Sequence, residues 1–349
     1  MSALLNESTD DDLRLSSYDY ELPAELIAQT PAEPRDSARL MVLDRGSGEI
    51  IHRHIHDLPT FLRPGDLLVV NSSRVMPCRL LGAKIPSGGR VEILLLRLVA
   101  GATWQAVVGG HVRTGQRIRV ADQTEVVIGD PVAGGRLVAF PPDTDVGALL
   151  REHGHVPLPP YIRAYTGDPD RYQTVYADVE GSAAAPTAGL HFTSELIARL
   201  RSLGVGWTSV VLHVGLDTFK PVTTESIRDH HIHTEWIEVA DDVVEAVATT
   251  RASGGRVIAV GTTTVRALEH AAAATGEIRP FNGFADLFIT PGYRYRVADT
   301  MLTNFHLPRS SLLLLVSAFA GRLQILDSYA EAIRMRYRFF SFGDAMLVL

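Results

Sequence analysis

The sequence predicts an α/β protein with a small antiparallel β-barrel inserted into its main domain. Three observations carry this. From Ser194 to Ala274 helical stretches alternate with apolar strands, from Met76 to Phe140 the texture changes to short, evenly spaced β runs, and α/β texture resumes afterwards. At 349 residues, 46% hydrophobic and 21% charged, the chain is long enough for two cores and has the composition of a soluble globular protein. The expected division is 1–75 plus 151–349 for the main α/β domain and 76–150 for the insert.

Taken in order, Pro23 opens a short helix over Ala24–Gln29, which Thr30-Pro31 stops. Arg39–Leu43 and Glu49–His56 read as strands, Leu58–Leu62 as a helical turn, and Asp66–Val70 as an apolar strand. RVEILLLRLV, TWQAVVGG, QRIRVAD, TEVVIG and GRLVAF, punctuated by Gly or Asp-Gln, are the barrel strands. Ser194–Ser202 is a helix with Leu196, Ile197 and Leu200 on one face, followed by the strand TSVVLHVG. Asp241–Thr250 is the second helix, RVIAVG a buried strand, and Val265–Ala274 a third helix capped by the threonines before it.

Composition narrows the function. The start, MSALLNESTDDD, lacks the basic and apolar regions of a signal peptide and reads as a frayed acidic tail. The longest apolar stretch, around Leu312–Val316, is too short to span a membrane, so a cytoplasmic location without membrane contact is expected. A monomer is expected too. Cys78 is the only cysteine, which excludes an internal disulfide and any multi-thiolate site; it reads as an apolar filler. GxGxxG, P-loop and the common methyltransferase glycine signatures are absent. His52, His54 and His56 alternate along a strand without a carboxylate at matching spacing, and His233-Thr-Glu235 lacks the two further cysteines of a zinc deaminase, so no metal is expected.

The net charge is −7, yet Arg279–Arg338 holds eight arginines against four acids. That stretch is a candidate RNA-facing surface, with Arg294, Arg296 and Arg309 as phosphate contacts, although a GC-rich genome also explains an arginine-rich composition.

Four blocks pair unusual backbone with polar heads: GSAAAPTAGLHFT (Gly181–Thr193), LHVG (Leu212–Gly215), GTTTVR (Gly261–Arg266) and TNFHLP (Thr303–Pro308). Gly181, Gly189 and the alanines permit close backbone approach, Thr187 and His191 exchange protons, and Phe192 offers a stacking face. Thr262, Thr263 and Thr264 leave a strand and enter a helix, presenting N–H groups and hydroxyls to an anion, with Arg266 adding charge; helix capping alone explains them equally well. With YDYELPAELIAQTPAEPRDSARL, RPGDLLVVNSSRV, LPPYI and RFFSFGDAM, these ordered blocks resemble the S-adenosylmethionine:tRNA ribosyltransferase-isomerase family over nearly the whole chain.

The resemblance implies an atypical α/β barrel-like main domain and formation of epoxyqueuosine in tRNA. S-adenosylmethionine would serve as ribosyl donor and no bound cofactor is implied. The acceptor would be 7-aminomethyl-7-deazaguanine at the wobble position of a tRNA with a GUN-type anticodon. Because the sulfonium acidifies the ribosyl C5′ hydrogens, a base starts the rearrangement; adenine leaves, the acceptor amine attacks, methionine departs and an epoxide closes. This takes a base, an acid and exclusion of water. His191 and His306 are the first candidates for proton transfer, with His213 and Glu235 behind them, and each histidine also reads as a group that orients a loop. Pro186, Thr187, Gly189, Thr262–Thr264, Arg266, Thr303, Asn304 and Arg74 are expected around the substrates, with Phe192, Phe305 and Tyr161 stacking on their rings. Two departures leave a diverged paralogue open: NSSRV replaces the common NDTRV, and Gly109-Gly110-His111 replaces a more basic segment, which alters expected tRNA contact; the arginine-rich stretch Arg279–Arg338 leaves an inactive RNA-binding module open.

Overall fold

Leu67–Asn71 is buried at every position, as an apolar strand must be when both faces of its sheet are covered. It pairs in parallel with Gly206–Leu212 on one side and Val257–Val260 on the other. Around it runs a nine-stranded mixed sheet in the order Phe281–Ala285, Glu235–Val239, Gly206–Leu212, Leu67–Asn71, Val257–Val260, Thr300–Asn304, Ala345–Val348, Arg39–Leu43 and Ile50–His54. The strand Thr300–Asn304 extends the parallel set, so four neighbouring strands end on one edge. Ligands in α/β sheets bind outside such carboxyl ends, and the loops that follow them are the predicted blocks LHVG, GTTTVR and TNFHLP.

The computed structural model describes residues 9–121, 124–132, 134–163, 165–215 and 222–349. The chain divides into two units, Met1–Arg74 with Pro159–Val179 and Ala185–Leu349, and Val75–Leu158 with Glu180–Ala184. The first holds the large sheet, whose core includes Leu68, Val70, Ile258, Val260 and Leu302. The second is a closed six-stranded antiparallel barrel, in the order Gly135–Ala139, Thr103–Gly109, Arg90–Ala100, Arg79–Lys84, Arg117–Arg119 and Glu125–Val132. Its interior is filled by Leu80, Ile93, Ala106, Ile118, Val126, Ile128 and Val138, all essentially without exposure. Both the α/β class and the inserted barrel are as the sequence predicts.

Helix α1 (Val146–His153) starts on an Asp145 cap, and α2 (Ser194–Ser202) on Thr193, whose hydroxyl accepts from the Leu196 N–H at 3.1 Å. α3 spans Asp241–Ala252, α4 Thr262–Ala273, α5 Ser311–Ala320 and α6 Arg322–Arg334. α5 and α6 meet at a 112° bend, where Gly321 takes φ 90°; among the described residues no single helix is long and apolar enough to cross a membrane.

Several local expectations are corrected. Ala24–Gln29 makes only a 3-10 turn, Ala24–Leu26, because Phe339 exchanges backbone hydrogen bonds with Leu26 and Ala28. The strand expected over Glu49–His56 stops at His54, where the 3-10 turn Ile55–Thr60 begins. α4 starts at Thr262 rather than Val265 and is capped by Gly261, so the threonines form its first turn instead of capping it. The first eight residues of the acidic start lie outside the described residues, whereas Thr9 and Asp12 form a capping box over Asp10–Leu13. Cys78 is buried, which pushes its thiol up to about 12.

Gly255 marks a close crossing: a Cβ there would stand 2.0 Å from the Gly65 carbonyl oxygen. Backbone on one side cannot rotate away, so Gly255→Ala is expected to destabilise the protein by about 1–3 kcal/mol. A lowered urea midpoint at unchanged m-value is the readout; an unaltered midpoint refutes it.

Candidate active site

At the carboxyl edge of the parallel strands lies a cavity of about 320 Å³. Three of the predicted blocks contribute, each at the end of one of the four parallel strands: Val214, then Gly261 to Thr263, then Thr303 to Pro308. The fourth contributes Ala185 to Ala188, at the start of the 3-10 turn Thr187–His191. Of the residues singled out from sequence, Tyr161, Pro186, Thr187, Thr262, Thr263, Thr303, Asn304, Phe305 and His306 all line this space.

Asn304 ties two blocks together. Its side-chain oxygen accepts from the Thr187 hydroxyl at 2.9 Å, and its amide nitrogen donates to the Phe340 carbonyl at 3.2 Å. The same nitrogen lies 3.3 Å from His191 Nε2, so that ring nitrogen accepts and the His191 proton sits on Nδ1. His306 has its Nε2 2.8 Å from the Thr303 hydroxyl, while its backbone N–H donates to the Tyr329 hydroxyl and its carbonyl accepts from Tyr20. Burial lowers the His306 pKa to about 3; burial first, then the charges of Arg338 and Arg35, bring His191 to about 3. Both rings are neutral at physiological pH.

Their positions differ. His306 faces the large cavity, whereas His191 lines a separate small one with Arg35 and Ser341, behind Asn304. Direct contact of His191 with a ligand in the large cavity is therefore corrected to an influence through Asn304. His213 lines neither: it stacks on Trp236 with ring centroids 5.0 Å apart, and its Nδ1 is buried without a partner among the described residues.

Other expectations fail on packing. Phe192 is buried in the main core against Tyr176 and Trp207, with no face for a heterocycle. Gly189 admits Tyr176, since a Cβ there would stand 2.1 Å from that hydroxyl, and not a ligand. Gly181 is exposed in the barrel unit. Thr264 turns its hydroxyl back to the Val260 carbonyl at 2.7 Å. Arg266 is engaged throughout, donating to Glu235, to the carbonyls of His233 (2.8 Å) and Ala285 (3.1 Å), and from Nε to Leu287 (3.1 Å). It leaves no free fork for an anion. Glu235, which also accepts from the Gly215 N–H at 3.1 Å, is neutralised by this pair and borders a smaller cavity beside Thr262. Half-buried Arg74 holds the Ala177 carbonyl at 3.2 Å and does not reach the lining.

Phe340, Ser341, Ser310 and Leu312 line the cavity without having been foreseen. Phe340 carries φ 71°, an unfavourable conformation for a bulky residue, and packs its ring 4.9 Å from Tyr161, whose hydroxyl meets Ser341 at 2.7 Å. The only signal for Phe340 and Ser341 was their place in RFFSFGDAM.

The arginine-rich stretch is less basic in space than along the chain. Arg322 pairs with Asp12 at 2.8 Å, Arg309 lies between Asp19 (3.9 Å) and Glu225 (3.8 Å), and Arg338 pairs with Asp344 at 3.3 Å. Arg296 caps the carboxyl end of α4 by donating to the Ala272 carbonyl at 2.7 Å. Arg294 is exposed and makes no ion pair among the described residues. Near the chain start, His54, His56 and Asp57 bring potential ligand atoms within 4.8 Å of one another, so a carboxylate does accompany two of the three histidines. His52 is apart, its Nδ1 at 2.7 Å from the Tyr337 hydroxyl.

Comparison with known proteins shows the family. A family model described as "Queuosine biosynthesis protein" matches residues 15–348. A curated S-adenosylmethionine:tRNA ribosyltransferase-isomerase of Symbiobacterium thermophilum is 51% identical, covering 97% of this chain and 100% of the relative. One of Synechococcus elongatus is 49% identical, covering 99% and 98%. The crystal structure of an S-adenosylmethionine tRNA ribosyltransferase from Thermotoga maritima superimposes with a TM-score of 0.56 at 39% identity, covering 95% of this chain and 100% of that one. With its strand-end blocks assembled around one cavity and its length matched by these relatives, the chain belongs to the queuosine biosynthesis family of S-adenosylmethionine:tRNA ribosyltransferase-isomerases.

Proposed function

We propose that the cavity at the carboxyl edge of the sheet transfers and isomerises the ribosyl group of S-adenosylmethionine onto 7-aminomethyl-7-deazaguanine in tRNA. The carrying observation is that four blocks far apart in sequence line one cavity, with His306 and Asn304 in its wall. Identity of 51% along the chain supports this reading over a diverged or inactive relative. His306 stands in the cavity wall with Thr303 fixing its ring, and from there it enters as the base that takes a C5′ proton. Asn304 positions Thr187 and His191, and the walls exclude water from the cation that develops as adenine leaves. The Tyr161 and Phe340 rings offer a face to a heterocycle. The acceptor is a tRNA with a GUN-type anticodon, held in part by Arg294.

Incubation with S-adenosylmethionine and tRNA bearing the aminomethyl-deazaguanine should release adenine and methionine in equal amounts as the epoxide forms. Release of S-adenosylhomocysteine overturns the reading. For the nucleic acid, Arg294→Ala should weaken tRNA binding and flatten the slope of log affinity against log salt by about one unit. Parallel salt titrations check this, and an identical slope removes Arg294 from the interface.

A further inference from the structure

Two helices direct their N-termini at the cavity. α4 contributes Thr262 and Thr263, and α5 contributes its cap Ser310 and the first-turn residue Leu312. First-turn N–H groups have no intrahelical acceptor, and each helix start carries about half a positive charge. A second observation is independent of the backbone. Thr262 is 7% exposed, lines both the large cavity and the smaller one beside it, and its hydroxyl has no partner among the described residues. The other threonines of the wall are occupied: Thr187 by Asn304, Thr303 by His306, and Thr263 by the Asn71 amide at 3.4 Å.

The Thr262 hydroxyl opens onto the cavity and is free to donate to a ligand there. No cationic side chain competes for that ligand, because Arg266 is taken up by Glu235 and three carbonyls. At α5 the Ser310 hydroxyl is spent on the Leu307 carbonyl (2.7 Å) and the Leu313 N–H (3.2 Å), so what remains is the Thr262 hydroxyl with the other first-turn N–H groups at the positive ends of two helices, which suits a small monoanion that accepts several hydrogen bonds. The reaction proposed above brings one such group into the cavity.

Resting on that reading, we propose that the α4 and α5 N-termini, with the Thr262 hydroxyl, bind the α-carboxylate of the methionyl end of S-adenosylmethionine. The donor is then oriented: its amino-acid end lies between the two helix starts, and the rings of Tyr161 and Phe340, on other lining elements, are left for the adenine. A phosphate of the tRNA has the same anion chemistry and is the competing source.

The test uses decarboxylated S-adenosylmethionine, which keeps the sulfonium, ribose and adenine. With the wild-type enzyme its kcat/KM should fall about 10–100-fold below that of S-adenosylmethionine, the loss expected for hydrogen bonds to a charged group. Thr262→Ala should shrink this discrimination, and Thr262→Ser should restore it. Equal use of both donors by the wild type overturns the proposal. So does a Thr262→Ala variant whose donor KM is unchanged while its tRNA affinity and salt dependence drop, since the anion would then be a phosphate. Equilibrium dialysis of both donors in the presence of tRNA separates the two readings. Selective retention of the carboxylated donor without adenine release sinks the proposed reaction and keeps the subsite, whereas adenine release without selectivity sinks only the subsite.

Discussion

His306→Ala lowers turnover by about 10²–10⁴-fold, the loss typical of a removed general base, and leaves tRNA affinity close to that of the parent. The expectation rests on position before acidity. His306 is the histidine in the cavity wall, and its ring is held by Thr303 at 2.8 Å while its backbone is fixed through Tyr329 and Tyr20. Its pKa, brought to about 3 by burial, makes it fully unprotonated where the enzyme works, so the acid limb of kcat should lie well below pH 6.5. His191→Ala should cost less, since that ring meets the cavity only through Asn304. Single-turnover adenine release for both variants across pH 5–8 is the measurement. Equal losses, or a wild-type limb near pH 6.5 that disappears in His306→Ala, would contradict these assignments.

What the sequence made legible was the chemistry carried by strand ends. An apolar strand followed by Gly-Thr-Thr or Asn-Phe-His-Leu-Pro announces where a parallel sheet opens, and those residues do line the cavity. His191 had the same outward signature, but the 3-10 turn Thr187–His191 rotates it behind Asn304. Phe192 follows it into the core, which periodicity cannot distinguish from a stacking face. α5 escaped because LLLLV is buried nearly all round and shows no amphipathic stripe, and with it went the second helix start at the cavity. The arginines failed for another reason. The acids that pair with Arg309 and Arg322 come from Asp12, Asp19 and Glu225, outside the counted segment, so charge summed along the chain overstated charge on a surface.

Acid should destabilise this protein earlier than its carboxylates alone would. His191 and His306 each have a folded-state pKa near 3, against 6.5 for the free side chain. Below about pH 6.5 the unfolded chain takes up protons that the folded chain refuses. The stability these two groups contribute is therefore whole above pH 6.5 and is lost progressively as pH falls towards 3. Linkage sets an upper limit of about 1.4 kcal/mol per pH unit for each histidine. Down to pH 5 the strongly hydrogen-bonded acids do not interfere, because burial, which raises their pKa, is outweighed by hydrogen bonds led by Arg256 at Asp66 and by Arg322 at Asp12, leaving both lowered. Urea midpoints between pH 7.5 and 5 should thus fall steeply for the wild type. His191→Gln and His306→Gln should each begin lower at pH 7.5, having lost a fitted ring, yet decline less with acid. The contrast is in the slope: if both variants lose stability with pH as fast as the parent, burial does not hold these two rings unprotonated below pH 6.5.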